Sequence, residues 1–293
     1  MIATFLDVVL GGLLMGGIYA LIAVGLNLQY GVALVLNIAH GEFIMIGAFG
    51  TWSLVTLLGV NPLVTLVIVG PIIFIAGFII YRTIYTRLRI TSGSVGAFEG
   101  SSMLASFGIL FIIQNIALLV WGAAEKGYSY LAFPVRFGGT VFEANRLVIL
   151  LFAIVIGLIF YLFLVYTRLG KAIRAAAQDP AAAGLLGVNI NLVLALCFGF
   201  GALMAGMAGS LISIAYLITP VMGLEYTVIA IIVVVLGGLG SIPGSFIGGL
   251  LLGLIGSIVT YLQPGLSMAA YYVIFMLLLL VKPSGILGKA KNV

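Results

Sequence analysis

The chain alternates long apolar runs with short breaks that hold most of its charged residues. A helix that crosses the roughly 30 Å hydrocarbon core of a bilayer needs about 20 apolar residues. This pattern predicts an all-α fold, a polytopic transmembrane helical bundle of eight or nine spans. Glycines and Pro243 interrupt the stretch from 237 to 244, which would also fit one broken hairpin, so the number stays open. The predicted spans are 5–29, 32–58, 62–82, 98–121, 146–166, 191–217, 225–240, 244–262 and 266–281.

The composition supports a chain surrounded by lipid. Apolar residues make up 64% of the sequence and charged residues only 6%, with a mean hydropathy of +1.38. A soluble domain carries about 25% charged residues, so this chain has too few to cover a water-exposed surface. The twelve Lys and Arg are scattered through short breaks, which argues against nucleic acid as a partner. We interpret residues 1–293 as a single transmembrane domain.

The basic residues predict the orientation. Cytoplasmic loops of membrane proteins carry an excess of Lys and Arg, so three basic clusters are expected in the cytoplasm. Three predicted spans precede the first cluster, which places the N-terminus outside. Nine spans then put the C-terminus in the cytoplasm, whereas eight would place the clusters on different sides. The clusters are Arg82, Arg87 and Arg89; Arg168, Lys171 and Arg174; and Lys282, Lys289 and Lys291.

The break at 168–190 carries the signals of a short, capped surface helix. Asp179 suits the N-cap and Pro180 the first helical position. Gly187 suits the left-handed residue that follows a helix. We therefore predict a helix from Pro180 to Leu186 on the cytoplasmic side. Its small alanines followed by leucines would fit a groove on another protein; the alternative is a surface turn without a partner.

A second polar stretch lies inside an apolar region. It contains Asn37, His40 and Glu42, and His40 is the single histidine of the chain. Ionisable groups are costly in lipid, so they face a cavity or one another. Two interpretations stay open: these residues line or gate a translocation path, or they satisfy one another and brace a helix break at Gly41. A metal site or an acid–base catalytic site is not predicted, because His40 has no suitable companion, and Cys197 lies far along the chain.

Four stretches, 16–28, 36–43, 177–188 and 236–249, cover the chain nearly end to end. The third is the capped segment, Ala177-Gln-Asp-Pro-Ala-Ala-Ala-Gly-Leu-Leu-Gly-Val. Together the four stretches resemble the permeases of branched-chain amino acid ABC importers, and the match is closest to the LivH-type permease subunit. The capped segment is similar to the coupling loop of that family.

This resemblance implies a transport subunit of the bacterial inner membrane rather than an enzyme, surrounded by membrane lipid. The implied partners are a second, LivM-like permease, two cytoplasmic ATPase subunits and a periplasmic substrate-binding protein. ATP and Mg would bind in the ATPase subunits, with no cofactor in this chain. The coupling contact would lie within 168–190. The residues expected to form it are Arg174, Gln178, Asp179, Pro180, Ala182, Leu185, Leu186 and Gly187.

The cargo and the energy source leave alternatives. Branched-chain amino acids are the expected cargo, and urea or a short amide is the main rival, because permeases for these solutes are close relatives. A secondary transporter driven by an ion gradient would need an intramembrane carboxylate or proton relay, which Glu42 and His40 would supply. A passive channel would have no use for a capped cytoplasmic helix. The capped segment disfavours both of these other classes.

Overall fold

The computed structural model describes residues 2–137, 140–282 and 284–288, most of them helical. A two-stranded antiparallel hairpin, β1 (Pro134–Phe137) and β2 (Thr140–Glu143), pairs Val135 with Phe142. It lies between the predicted spans 98–121 and 146–166, where no strand was predicted. The helices are α1 (Ile2–Ala33), α2 (His40–Leu58), α3 (Pro62–Ile80), α4 (Thr86–Thr91), α5 (Val95–Trp121), α6 (Ala144–Tyr166), α7 (Arg168–Gln178), α8 (Pro180–Leu185), α9 (Ile190–Ala215), α10 (Met222–Gly237), α11 (Ile242–Leu262) and α12 (Ser267–Val281).

Within the described residues, eight helical segments are long and apolar enough to cross a membrane. This confirms the predicted polytopic bundle. The interrupted stretch near 240 forms two helices, α10 and α11, joined by residues 238–241. Helix α10 is apolar but has only 16 residues, or about 24 Å of helix against a core of roughly 30 Å. The number of spans is therefore eight or nine according to whether the short helix α10 is counted.

The first basic cluster lies on a helix, although a break was predicted there. The predicted span ends at 82, whereas the helix that starts at Pro62 continues to Thr91 through a π-helical turn at Tyr81–Tyr85. The rings of Tyr81 and Tyr85 are buried against Phe198, with centroids 5.8 and 5.0 Å from it. A prediction based on apolar runs ends the span at the first arginine, Arg82, but the buried face of this helix continues past that residue.

Side-chain caps and prolines explain where many helices begin. An oxygen of each capping side chain accepts a backbone N–H that the first turn leaves free. Helices α3, α8 and α11 also carry proline in their first two positions, where its missing N–H costs nothing. The capping residues are Asn61, Ser94, Thr167, Asp179, Asn189 and Ser241.

Small residues bring α1 and α11 into backbone contact. A Cβ added to Gly12 would lie 2.8 Å from Leu254 Cα, and one added to Gly16 would lie 2.8 Å from Leu250 Cα. Such close approach is how helices associate where lipid supplies no hydrophobic drive. These glycines therefore allow α1 and α11 to pack closely. Gly244 and Gly248 of α11 pack instead on α10.

The three basic segments lie at one end of the bundle. The π-helical turn packs on Phe198 in the first half of α9. Helix α7 contacts α9 and α1. The Ile286 N–H donates to Leu236 O, at the end of α10, at 2.8 Å. Lys289 and Lys291 lie outside the described residues. We call residues 82–91, 168–189, 282 and 284–288 the basic end. Residues 58–62, 122–137, 140–143, 216–221 and 263–266 form the opposite, hairpin end, where Trp52 Nε1 donates to Gly127 O at 3.3 Å.

Candidate functional site

The capped helix predicted at the basic end is present as α8. Asp179 Oδ1 accepts the N–H groups of Ala181 and Ala182 at 2.9 and 3.0 Å, and Pro180 occupies the first helical position. Gly187 follows the helix in the left-handed conformation, with φ +84°. The helix ends at Leu185, one residue before the predicted end, which is within the usual difference between assignments.

The outer surface of α8 is apolar. Leu185 is 91% exposed and Leu186 85% exposed, whereas Ala183 is buried toward the start of α9. Both leucines lie outside the membrane-spanning helices. Two adjacent, almost fully exposed leucines outside the membrane-spanning helices are typical of a surface that another protein covers.

The predicted break at 168–190 contains two helices, because residues 168–178 form α7 before α8 begins. Thr167 Oγ1 accepts the Gly170 N–H at 3.0 Å, and the apolar face of α7 is buried at Ile173. Arg174 Nη2 donates to Val165 O at 3.1 Å, which anchors α7 to the end of α6. Gln178 is the last residue of α7 and precedes the Asp179 cap of α8. The predicted contact residues therefore lie on a rigid two-helix platform.

The break between α1 and α2 lies at residues 34–39, not at Gly41, which is helical. The predicted second span, 32–58, therefore begins too early. His40 Nε2 lies 3.0 Å from Ile22 O, and Ile22 is roughly 16 Å of helix before the end of α1. Residues 34–39 thus return from the basic end to the middle of the bundle. Leu34 has φ +56° where this return begins.

Hydroxyl groups from two other helices satisfy the backbone of this break. Ser106 Oγ of α5 accepts the Ile38 N–H at 3.1 Å. Thr227 Oγ1 of α10 donates to Ile38 O at 3.0 Å and accepts the Gly41 N–H at 2.8 Å. Non-helical backbone is tolerated at membrane depth only where protein or water satisfies it, and here protein does so.

His40 and Asn37 meet at Gln29. Asn37 Nδ2 donates to Gln29 Oε1 at 3.0 Å, and His40 Nδ1 lies 3.2 Å from the same oxygen. Gln29 Nε2 in turn donates to Phe198 O at 3.1 Å. Both partners of the His40 ring, Gln29 Oε1 and Ile22 O, are acceptors, so the ring donates a hydrogen bond to one of them. Asn37 and His40 are at most 1% exposed, so in this conformation they tie the break to α1 and α9.

Glu42 is buried without a hydrogen-bond partner. Its side chain is fully inaccessible, and neither carboxylate oxygen has a partner among the described residues. It lies in the first turn of α2 and directly beside Gly223, in the first turn of α10. The positive ends of two helix dipoles therefore converge on this carboxyl group, an arrangement suited to negative charge.

A family model described as branched-chain amino acid transport system / permease component matches residues 8–282. The chain belongs to this family. It is 33% identical to the high-affinity branched-chain amino acid transport system permease protein LivH of Escherichia coli strain K12, over 97% of this chain and 96% of that protein. It is 32% identical to BraD of Pseudomonas aeruginosa, a permease protein with the same description, with the same coverage. A probable LivH of Methanocaldococcus jannaschii is 27% identical over 95% of this chain and 91% of its own length. No solved structure gives a significant match.

The roles of two residues of this permease component, Ser106 and Thr227, are difficult to predict from the sequence. Both are hydroxyl residues in apolar helices, and such residues are common in membrane spans. Asn27 is more conspicuous. Its Nδ2 donates to Ser245 Oγ at 2.7 Å, and its Oδ1 accepts the Gly240 N–H at 2.7 Å, so it joins α1 to the turn between α10 and α11. A lone amide inside an apolar run is the pattern that indicates such a joint.

Proposed function

We propose that this chain is the membrane-spanning permease subunit of an ATP-driven importer of branched-chain amino acids. The observation that carries the proposal is α8, a capped helix at the basic end that presents Leu185 and Leu186 to the surroundings. An ATPase subunit that binds this helix would transmit its movement to α9. The relatives named above support the cargo.

The proposed location is the bacterial inner membrane, with the basic end in the cytoplasm and the N-terminus outside. The chain is a multi-pass membrane protein by its family and its apolar helices. Of its ten described Lys and Arg residues, seven lie at the basic end. Three, Lys126, Arg136 and Arg146, lie at or near the hairpin end. Such an excess is typical of the cytoplasmic side.

The proposed assembly contains a second, LivM-like permease, two cytoplasmic ATPase subunits and a periplasmic binding protein. ATP and Mg would bind in the ATPase subunits. Helix α5 supports a second membrane partner, because it packs mainly on α2 and α4 and leaves a long face uncovered. Gly100 and Gly108 on this helix have open space where a Cβ would lie, and Leu104 is 75% exposed. Small residues on an open helix face favour close packing with another helix.

Glu42 is the residue we propose to border the translocation path when the bundle opens. Asn37 and His40 are engaged with Gln29 and would hold the break in place beside that path. Glu42 has no such engagement, so a shift of α10 away from α2 would expose an unpaired carboxyl group near mid-membrane. Its negative charge would attract the ammonium group of a passing amino acid.

The test is reconstitution of the whole complex in liposomes with ATP on the ATPase side and loaded binding protein on the other. We expect uptake of labelled leucine, isoleucine or valine that stops when ATP is removed and continues when a protonophore collapses the proton gradient. A proton-coupled transporter is the second candidate, since His40 lies between two oxygen atoms and Glu42 is unpaired. It would show the reverse response. Uptake of urea without uptake of leucine would contradict the proposed cargo.

A further inference from the structure

A cavity opens at the hairpin end, on the face opposite α8. Its volume is about 450 Å³, and its walls come from the loop after α5, the junction of β2 with α6, and the last turn of α9. Pockets that bind small molecules have volumes of about 300–1,000 Å³. The cavity is therefore large enough for a solute of amino-acid size. Residues that line it include Tyr128, Tyr130, Glu143, Asn145, Ile214 and Tyr216.

The polar groups of this cavity have a surplus of acceptors. Asn145 is 3% exposed, and its Oδ1 has no partner among the described residues. Glu143 adds a carboxylate that lies 3.9 Å from Arg146 Nε, too far for a strong hydrogen bond. Two of the three tyrosine hydroxyls are already engaged, Tyr128 with Ser213 at 3.1 Å and Tyr130 with Asn61 at 3.2 Å. Arg146 forms only a loose ion pair with Glu143, and Asn145 Oδ1 has no donor, so the ammonium group of a ligand would complete this set of acceptors.

The position of the cavity connects it to Glu42. Residues 216–221 lead from its wall to the start of α10, whose first turn contacts Glu42. Within that connection, Ile218 exchanges two backbone hydrogen bonds with Lys126, at 2.9 and 3.0 Å. The cavity wall and the mid-membrane carboxyl group are therefore linked by six residues. A ligand that orders this wall would also position α10.

We propose that this cavity is an outer binding site that receives the ammonium group of the amino acid before it enters the bundle. Glu143 and Asn145 Oδ1 would accept the ammonium N–H groups, and Ile214 with the tyrosine rings would contact the aliphatic side chain. This proposal rests on the proposed function, because it specifies where the transported amino acid first binds. It selects amines, so urea and simple carboxylic acids bind poorly.

The test uses the full complex in lipid nanodiscs without binding protein, with tritiated leucine as the probe. We expect weak, saturable binding that 3-methylbutylamine competes for and 4-methylpentanoate does not. Glu143→Gln should weaken this binding roughly tenfold or more, because a hydrogen bond to a charged group is lost. Asn145→Leu should do the same. Glu125→Gln is the matched control, since Glu125 is in the same outer segment but not in the cavity wall.

Three outcomes would overturn the site. The first is competition by the carboxylic acid equal to that of the amine. The second is leucine binding by Glu143→Gln equal to that of the unchanged protein. The third is loss of binding-protein capture by Glu143→Gln with unchanged leucine binding, which would make the cavity a docking surface. Glu143 is half exposed, so its variant tests the site even where the buried Asn145 variant is unstable. ATP-driven leucine uptake by the unchanged complex separates failure of this site from failure of the proposed function.

Discussion

Replacement of Gly187 by valine is the sharpest test of α8 as a coupling helix. Gly187 has φ +84° and no atom within 4 Å of the place a Cβ would take. The substitution therefore causes no collision, and its cost is confined to the backbone. The left-handed conformation costs an L-residue about 1–2 kcal/mol, and more when the side chain is β-branched. A change of that size shifts the balance between the capped and the unravelled helix end by about 5- to 30-fold.

The assay is leucine uptake per ATP hydrolysed by the reconstituted complex. We expect Gly187→Val to lower this ratio several-fold while the protein still inserts and assembles. Two control variants are available in the chain. Gly184→Ala adds a methyl group to the same helix at an ordinary contact distance, 3.7 Å from Ile190 Cγ1. Gly59→Val imposes the same kind of strain at the hairpin end, because Gly59 has φ +66° and open space around it.

The controls decide how a loss would be interpreted. Coupling equal to that of Gly184→Ala would refute the idea that the left-handed cap holds α8 in its working shape. Equal losses in Gly187→Val and Gly59→Val would attribute the effect to general destabilisation. Only a loss confined to Gly187→Val supports a mechanical role for the end of α8.

Three further changes have defined outcomes. Asp179→Ala removes two hydrogen bonds from the start of α8 and should destabilise it by about 1 kcal/mol, seen as reduced ATPase stimulation by loaded binding protein. Leu186→Ser should weaken binding of the ATPase subunit roughly tenfold in a titration, whereas Leu58→Ser, 70% exposed at the hairpin end, should not. Gly41→Ala forces a methyl group onto the Gly223 carbonyl and should lower the thermal stability of the purified protein, by about 1–3 kcal/mol in free energy of unfolding.

The local signals of the sequence were sufficient to place most of the spans approximately and to predict α8. Apolar runs of membrane length locate helices because the bilayer fixes that length. Asp179, Pro180 and Gly187 locate α8 because each satisfies a requirement of its own few neighbours. Such requirements are visible without knowledge of the fold.

The break at 34–39 was misplaced because its cause is not local. Leu34, Val35 and Leu36 are apolar, so the hydropathy pattern continues across the break. The groups that stabilise it, Ser106 and Thr227, come from positions 68 and 189 residues away from Ile38. The residue type of Gly41 predicts a helix break, but in the structure this glycine provides room for the backbone at Gly223.

The helices at the basic end were underestimated for a different reason. Arginines end an apolar run, so the first basic cluster and the segment 168–178 were both predicted as breaks. In a helix that leaves the membrane, the charged residues occupy one face while the buried face continues. Ile173 and Ala176 are buried in α7 at a spacing of three residues, which is helical. α7 could have been predicted from this spacing of apolar residues.

The arrangement around α9 explains how a force on α8 would reach the cavity at the hairpin end. Helix α9 follows α8 after four residues and runs for 26 residues, about 39 Å at 1.5 Å per residue. Along that length its glycines 206 and 209 contact the backbone of α2, so α9 and α2 are too closely packed to move independently. Glu42 lies on α2, and the last turn of α9 forms part of the cavity wall. Displacement of α8 should therefore change both sites together. Loss of the α8 cap is therefore expected to alter leucine binding at the hairpin end as well as coupling to ATP.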